Sequence, residues 1–190
     1  METFEKRELD KIEKQLRLYD ELRDEVIKKS REIIKQSKIV INSVHREEDS
    51  DKGLEQLNTL KEEMDQILGK TTGLKNEGSA KVAYQEFVEA RLMTNFRSKE
   101  KMLWSELGVD EEAFLLGLCD LTGELARMAV RKATSKEFDE VKRAYDCIEE
   151  AHSFFLKLDL RNSELRKKSD QVKWNLKKTE EILYDISLRE

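Results

Sequence analysis

The 190-residue chain lacks proline altogether and contains only 7 glycines and 7% aromatic residues. Proline breaks helices and glycine weakens them, so their scarcity among many strong helix formers favours an all-α protein. No segment carries the pattern of a β-strand or the composition of an interdomain linker. We therefore expect one all-α domain over residues 1–190, with about six to seven helices.

Cysteines, histidines and long apolar runs are equally scarce. The two cysteines, Cys119 and Cys147, lie in apolar helical contexts, which is typical of reduced, packed thiols in a cytoplasmic protein. No apolar run reaches the ~20 residues of a membrane span, so we expect neither a membrane segment nor a signal peptide. Zinc-ligand spacings, P-loops and a Ser-His-Asp order are absent, which excludes the enzyme classes that depend on them.

Charged residues, in contrast, make up 41% of the chain, well above the ~25% of typical globular proteins. The net charge is −5, so a nucleic-acid partner does not follow from the overall balance, and any basic surface must be local. Arg31, Lys38 and His45 repeat at a seven-residue interval and form a stripe along one helix. Such a stripe, continued by Arg46, can bind phosphates, although a solvated helix flank has the same pattern.

Apolar spacing predicts a very long first helix and a heptad-like last helix. The first would be roughly 65 Å long, which exceeds a compact monomer of this size, so it must pack along other long helices or across a subunit interface. The apolar seam of the last helix either closes its own bundle or makes an oligomer contact. Ser79 and Asp110 are the expected N-caps of the third and fourth helices. The predicted helices cover residues 4–48, 51–68, 79–106, 111–132, 135–158 and 162–190.

The segment Ala113–Val130 is the most apolar stretch of this charged chain, yet it contains Asp120 and Glu124. These two acids are four residues apart and share one face of a helix. An unpaired carboxylate in a deeply packed helix costs several kcal/mol, so it needs a cation, a metal ion or a proton. The segment is therefore a candidate site.

A second acidic pair, Glu86 and Glu89, shares one face of the preceding helix. Two helices that each present two carboxylates can build a site for divalent ions in a helical bundle. All-oxygen ligands favour Mg²⁺ or Mn²⁺, and the absence of a Glu-x-x-His motif argues against a di-iron oxidase. The alternative is that Asp120 and Glu124 pair with arginines. The candidate partners are Arg91, Arg127 and Arg131.

Strings in several helices resemble the translin/Trax family. Residues 120–128 (DLTGELARM) resemble the Trax signature DLTGELxRM, and residues 84–90 (YQEFVEA) resemble its LQEYVEA string. The first helix carries the Trax pattern SR…SK…HR, whereas the final helix is more similar to translin. The resemblance spans nearly the whole chain, and its acidic motifs are specific because translin lacks this carboxylate set.

The resemblance implies a translin-like bundle of long antiparallel helices that assembles as a hollow homo-octamer. It also implies binding of single-stranded RNA and single-stranded DNA, and a Mg²⁺-dependent or Mn²⁺-dependent endoribonuclease activity. Matched position by position, the catalytic and metal-binding acids are Glu86, Glu89, Asp120 and Glu124. The nucleic-acid-binding residues that we predict are Arg31, Lys38, His45 and Arg46.

Two other functions stay open from the sequence. One is a translin-type scaffold that binds single-stranded nucleic acid without cleaving it, and the intact carboxylates count against it. The other is a coiled-coil interaction protein whose acids pair with arginines, and the apolar setting of Asp120 counts against it.

A metal-dependent endoribonuclease that attacks with water would leave 5′-phosphate and 3′-hydroxyl ends.

Overall fold

The computed structural model describes residues 4–101, 103–161 and 163–188, and within these ranges every regular element is a helix. The fold is all-α, as the composition predicted. Two short 3₁₀ helices, Thr72–Asn76 and Trp104–Glu106, lie in the loops before and after the third α-helix. The α-helices are α1 (Lys6–His45), α2 (Asp51–Leu68), α3 (Gly78–Ser98), α4 (Glu111–Thr134), α5 (Phe138–Phe155) and α6 (Glu164–Ser187).

Two helices begin with a side-chain cap, and one without a side-chain cap still spans its predicted range. The range of α2 is the predicted one, and the Asp110 carboxylate accepts a 2.8 Å hydrogen bond from the Ala113 amide at the start of α4. Ser163 caps α6 in the same way. The predicted first residue of that helix, Asn162, lies outside the described residues.

Several predicted boundaries differ from the structure, and α1 and α5 each end three residues earlier than predicted, at His45 and Phe155. α3 ends at Ser98 rather than near residue 106, because Lys99 adopts a left-handed φ of 61° and stops the helix. Ser79 lies inside α3 instead of capping it. α5 begins only at Phe138, since Lys136 takes the same left-handed conformation two residues earlier.

The core forms around α4, which packs against α3, α5 and α6, while α1 packs against α2 and α3. Leu121 and Leu125 of α4 are fully buried, which confirms that the apolar segment is a packed helix. In α6, the buried residues Val172 and Leu176 belong to the predicted heptad seam, and α6 packs on α4 and α5. This seam therefore closes the bundle of its own chain.

The first half of α1 extends beyond this core. From Leu22 onward the helix buries one apolar face, but Leu9, Ile12 and Leu16, which continue that face, are at least half exposed. Among the described residues, nothing covers these three side chains. No helix in the described ranges is long and apolar enough to cross a membrane.

A glycine brings α3 and α4 into close contact beside the acidic residues. A Cβ atom at Gly117 would lie 2.6 Å from Cγ1 of Val88 and 2.8 Å from the carbonyl oxygen of Gln85, so any larger residue would push the helices apart. The two acidic pairs lie on these same two helices. Gly117 therefore helps to set the distance across which the pairs face each other.

Candidate functional site

The two acidic pairs line one cleft of about 620 Å³ between α1, α3, α4 and α6. Glu86 and Glu89 enter it from α3, and Asp120 and Glu124 enter it from α4. The structure thus brings together the four acids that the sequence singled out. They experience three different environments.

Asp120 is bound by a cation from α6. Nζ of Lys168 lies 2.7 Å from both carboxylate oxygens, and the Gln85 amide donates a hydrogen bond to Oδ2. Both side chains of the ion pair are 26% exposed. Asp120 therefore has its cation, as a packed carboxylate requires, but the partner is a lysine rather than one of the expected arginines.

Glu124 is bound by a histidine from the end of α1. Nε2 of the buried His45 hydrogen-bonds to the Glu124 carboxylate, and Arg127 lies 3.5 Å from the same oxygen. The hydrogen bond from His45, with a smaller contribution from Arg127, lowers the pKa of Glu124. Arg127 is thus the one expected arginine that reaches an acid of this cleft.

Glu86 and Glu89 lack such close partners. Glu89 is only 8% exposed, and its carboxylate makes no hydrogen bond or ion pair within the ranges that the structure describes. Burial, together with repulsion from Asp120, Glu86 and Glu124, raises the pKa of Glu89 to about 8. Burial also raises the pKa of Glu86, although Lys38, with Nζ at 4.0 Å, opposes the shift.

The four acids of the cleft have the type of ligand atom that a hard divalent ion prefers. The four carboxylates supply only oxygen ligands, and the repulsion that raises the pKa of Glu89 is what a bound cation would relieve. As the side chains stand, however, no three His, Cys, Asp or Glu groups in the described part of the chain are close enough to hold one metal ion. Metal binding would require these side chains to move and Asp120 to release Lys168.

The predicted basic stripe is divided between the cleft and the surface. Arg31 and Arg46 are exposed, and Nε of Arg46 lies 2.6 Å from the Glu48 carboxylate. The side chain of Lys38 is 66% exposed at the rim of the cleft. His45 lies inside, bonded to Glu124, instead of on the outer surface as its spacing suggested.

Sequence reasoning missed Lys168 and Gln85. Lys168, Gln171 and Asn175 occupy positions i, i+3 and i+7 of α6, so they form a polar stripe beside its apolar seam. Gln171 and Asn175 line the cleft, and Lys168 contacts Asp120. This polar stripe is the feature of the sequence that could have identified Lys168 as a residue of the cleft.

Cys119 also lines the cleft, but burial raises the pKa of its thiol to about 12, which leaves the thiol inert.

Comparison with known sequences identifies the family. The profile of the Translin family matches residues 21–190. The chain belongs to the translin family. It is 29% identical to an uncharacterised protein of Methanocaldococcus jannaschii over 179 residues, which cover 90% of this chain and 81% of that protein. It is 41% identical to translin of Gallus gallus over 81 residues, 43% of this chain and 35% of the chicken protein.

Solved structures share the fold over nearly the full length. The structure of apo-NeC3PO superimposes with a TM-score of 0.84 at 27% identity, covering 93% of this chain and 95% of that one. The structure of AfC3PO gives a TM-score of 0.81 at 25% identity, with coverage of 94% and 96%. AfC3PO has also been solved as a complex with duplex RNA, and that structure, at 24% identity, shows the same fold with a TM-score of 0.78.

Proposed function

We propose that this translin-family protein is a Mg²⁺-dependent endoribonuclease of the Trax type, which hydrolyses single-stranded RNA within a homo-octamer. The observation that carries the proposal is Glu89. It is a buried carboxylate, without a cation of its own, beside three other carboxylates. Repulsion among these carboxylates disfavours the ionised form of Glu89 in the metal-free protein, whereas a divalent ion would stabilise it.

Glu86, Glu89, Asp120 and Glu124 are the residues that would hold the ion. When bound, Mg²⁺ would polarise the scissile phosphodiester and lower the pKa of a coordinated water molecule. Glu89 or Glu124 would accept the proton of that water molecule, because both line the cleft beside the other acids. His45 holds Glu124 ionised and in place.

Exposed cations near the cleft would guide the RNA backbone. Lys38 lies at the rim within 4.0 Å of Glu86, so a phosphate bound by its ammonium would lie next to the acids. Arg31 on α1 and Arg46, which directly follows that helix, are exposed and would contact neighbouring phosphates. His45 is better assigned to positioning Glu124 than to a phosphate contact, because it is buried.

The exposed apolar face of α1 supports assembly. Leu9, Ile12 and Leu16 offer a row of large side chains that the described part of the chain does not cover, and burial of such a row favours association. The likeness to the C3PO structures over more than nine-tenths of both chains is consistent with the octamer that the family resemblance implies.

A non-catalytic scaffold that binds RNA is the second candidate. The ion pair between Lys168 and Asp120 favours it, because the lysine already neutralises the carboxylate that would be a central metal ligand. The absence of a ready three-ligand group in the described residues points the same way. In this alternative the cleft is a structural polar cluster.

Incubation of the full-length protein with single-stranded RNA, in Mg²⁺ or in EDTA, separates the two candidates. The nuclease cleaves the RNA in Mg²⁺ only and leaves 5′-phosphate and 3′-hydroxyl ends. A matched duplex is included because AfC3PO was solved with duplex RNA, and we expect slower cleavage of it. RNA that is bound but stays intact in Mg²⁺ and in Mn²⁺ would establish the scaffold instead.

A further inference from the structure

We propose that a second pocket, next to the acidic cleft, binds a phosphate group. This pocket has a volume of about 240 Å³ and lies where α1, α3 and α4 end and α5 begins. Five cationic side chains and three carboxylates line it. The cations are Arg97, Lys99, Arg131, Lys132 and Arg143, and the carboxylates are Glu47, Glu137 and Glu140. His45 lines both this pocket and the acidic cleft.

The three carboxylates neutralise only two of the five cations. Lys132 pairs with two of the carboxylates, with Nζ at 2.5 Å from Glu47 and 2.6 Å from Glu137. The third carboxylate, Glu140, pairs with Arg143. Arg97, Lys99 and Arg131 have no carboxylate within ion-pair distance in the described ranges. The positive potential that results also contributes to the lowered pKa of Glu47, whose first cause is the hydrogen bond from Lys132.

Arg143 presents donors that lack an acceptor. Its Nε and Nη1 atoms are buried and make no hydrogen bond to any residue that the structure describes. Its guanidinium lies over the ring of Phe96, 4.3 Å from the centroid, which fixes the plane of the donors. Buried donors without acceptors are costly, so the pocket calls for a ligand with oxygen acceptors. Nδ1 of His45 is likewise buried and lacks a partner among the described residues.

Helix dipoles stabilise three of these cations, because Arg97 lies in the last turn of α3, and Arg131 and Lys132 lie in the last turn of α4. Basic residues near helix ends often hydrogen-bond to the last carbonyl groups. The carbonyl that Arg97 contacts belongs to the turn after α1, with Nη1 at 2.5 Å from the carbonyl oxygen of Glu48. Within the described residues, the side chains of Lys99 and Arg131 donate no hydrogen bond to a carbonyl. They are therefore available to a ligand.

Phosphate is the anion that this chemistry fits best. Guanidinium groups pair with two phosphate oxygens at once, and several unneutralised cations favour a tetrahedral anion of high charge over a carboxylate. The pocket is large enough for one phosphate group and its ester substituent. Since His45 separates it from Glu124, a phosphate bound here would lie one side chain away from the acidic cleft. The inference does not depend on the cleft being catalytic.

Titration of the full-length protein with inorganic phosphate in a calorimeter tests the proposal. The double variant Lys99→Gln/Arg131→Gln removes two cations that support no ion pair, so the fold should be retained. We expect saturable binding by the wild-type protein and about tenfold weaker binding by the variant. The control variant Lys14→Gln/Lys178→Gln removes the same charge from exposed positions outside both cavities and should bind as the wild type does. Failure of the wild type to bind, or equal affinity in the double variant, would overturn the proposal.

Two RNA oligonucleotides of one sequence, with a 5′-phosphate or a 5′-hydroxyl, identify the source of the phosphate. A terminal phosphate is the ligand when only the 5′-phosphorylated oligonucleotide binds more weakly to the double variant. An internal phosphodiester is the ligand when both bind more weakly. Free phosphate is the ligand when neither changes while binding of inorganic phosphate is lost. The assay reads binding in EDTA, so its result is independent of whether the protein cleaves RNA.

Discussion

At the scale of single residues, the acidic cleft holds carboxylates that are stabilised to very different degrees. Asp120 and Glu124 each have a close cation or hydrogen-bond donor, whereas Glu89 has none. The position of the acids followed from helix periodicity, because residues three or four apart share a face. Lys168 could not be located in this way, since pairing between α6 and α4 depends on how the two helices pack.

Glu89 should make the stability of the metal-free protein depend on pH. In the unfolded chain its carboxyl loses the proton near the ordinary pKa of 4.5, whereas the folded protein retains the proton up to about pH 8. Between these values the folded state binds more protons, so its free energy of unfolding falls as the pH rises. In urea denaturation with EDTA, Glu89→Gln should reduce this fall. Glu62→Gln, at an exposed position, should not, and an unchanged pH dependence in Glu89→Gln would show that burial is not perturbing this group.

Lys168 should stabilise the metal-free site and compete with a divalent ion. Lys168→Met leaves Asp120 with Gln85 as its partner, and because the ion pair is partly exposed we expect a loss of about 1 kcal/mol in EDTA. Addition of Mg²⁺ should raise the melting temperature of the variant more than that of the wild type. Lys167→Met, at the exposed neighbouring position, is the control. An equal Mg²⁺ response in all three proteins would mean that no ion binds at Asp120.

At the scale of helices, a capping side chain defines the start of α4 where the sequence predicted it. Asp110 is an N-cap whose chemistry can be read directly from the chain. The end of α3 was missed because Lys99 adopts the left-handed conformation that usually favours glycine. Tertiary packing must favour that turn, and packing is not visible in local sequence. The same limit explains the late start of α5.

The exposed half of α1 should carry an interface between subunits. Ile12→Asp/Leu16→Asp places two charges on the uncovered apolar face, and we expect the assembly to dissociate because charged groups resist burial. Light scattering with size-exclusion chromatography measures the mass. Arg7→Asp/Lys14→Asp puts the same two aspartates on the other side of α1, at exposed positions, and should leave the mass unchanged. A wild-type protein that is monomeric at micromolar concentration would contradict the assembly itself.

At the scale of the whole molecule, net charge says little about binding. The chain carries −5 overall, yet cations remain exposed along α1. Lys38→Ala/Arg46→Ala should weaken binding to single-stranded RNA of any sequence, because these residues contact phosphates. Fluorescence anisotropy at several salt concentrations should give a slope of log affinity against log salt that is smaller by about 1.4. An unchanged affinity and slope would place the RNA path elsewhere, and Lys14→Ala/Lys178→Ala controls for loss of charge.

The all-α fold could be predicted from composition, because a chain without proline and with few glycines contains few residues that disfavour helices. The four acids could be predicted because carboxylates inside an apolar, helical segment need an explanation. The cationic pocket could not be predicted from the sequence. Its side chains come from four helices and from the turns that follow three of them, and only the fold brings them around His45.

Asp120→Asn tests whether the four acids form a metal-dependent nuclease site. The substitution keeps the shape of the side chain and its contact with Gln85 but removes the charge that a divalent ion would bind. Cleavage rates of wild type and variant are compared on one single-stranded RNA in saturating Mg²⁺, with the mass of each assembly measured in parallel. If a divalent ion binds at Asp120, the variant keeps an intact assembly and loses activity by about a thousandfold. Cleavage by Asp120→Asn at the wild-type rate would contradict the existence of such a site.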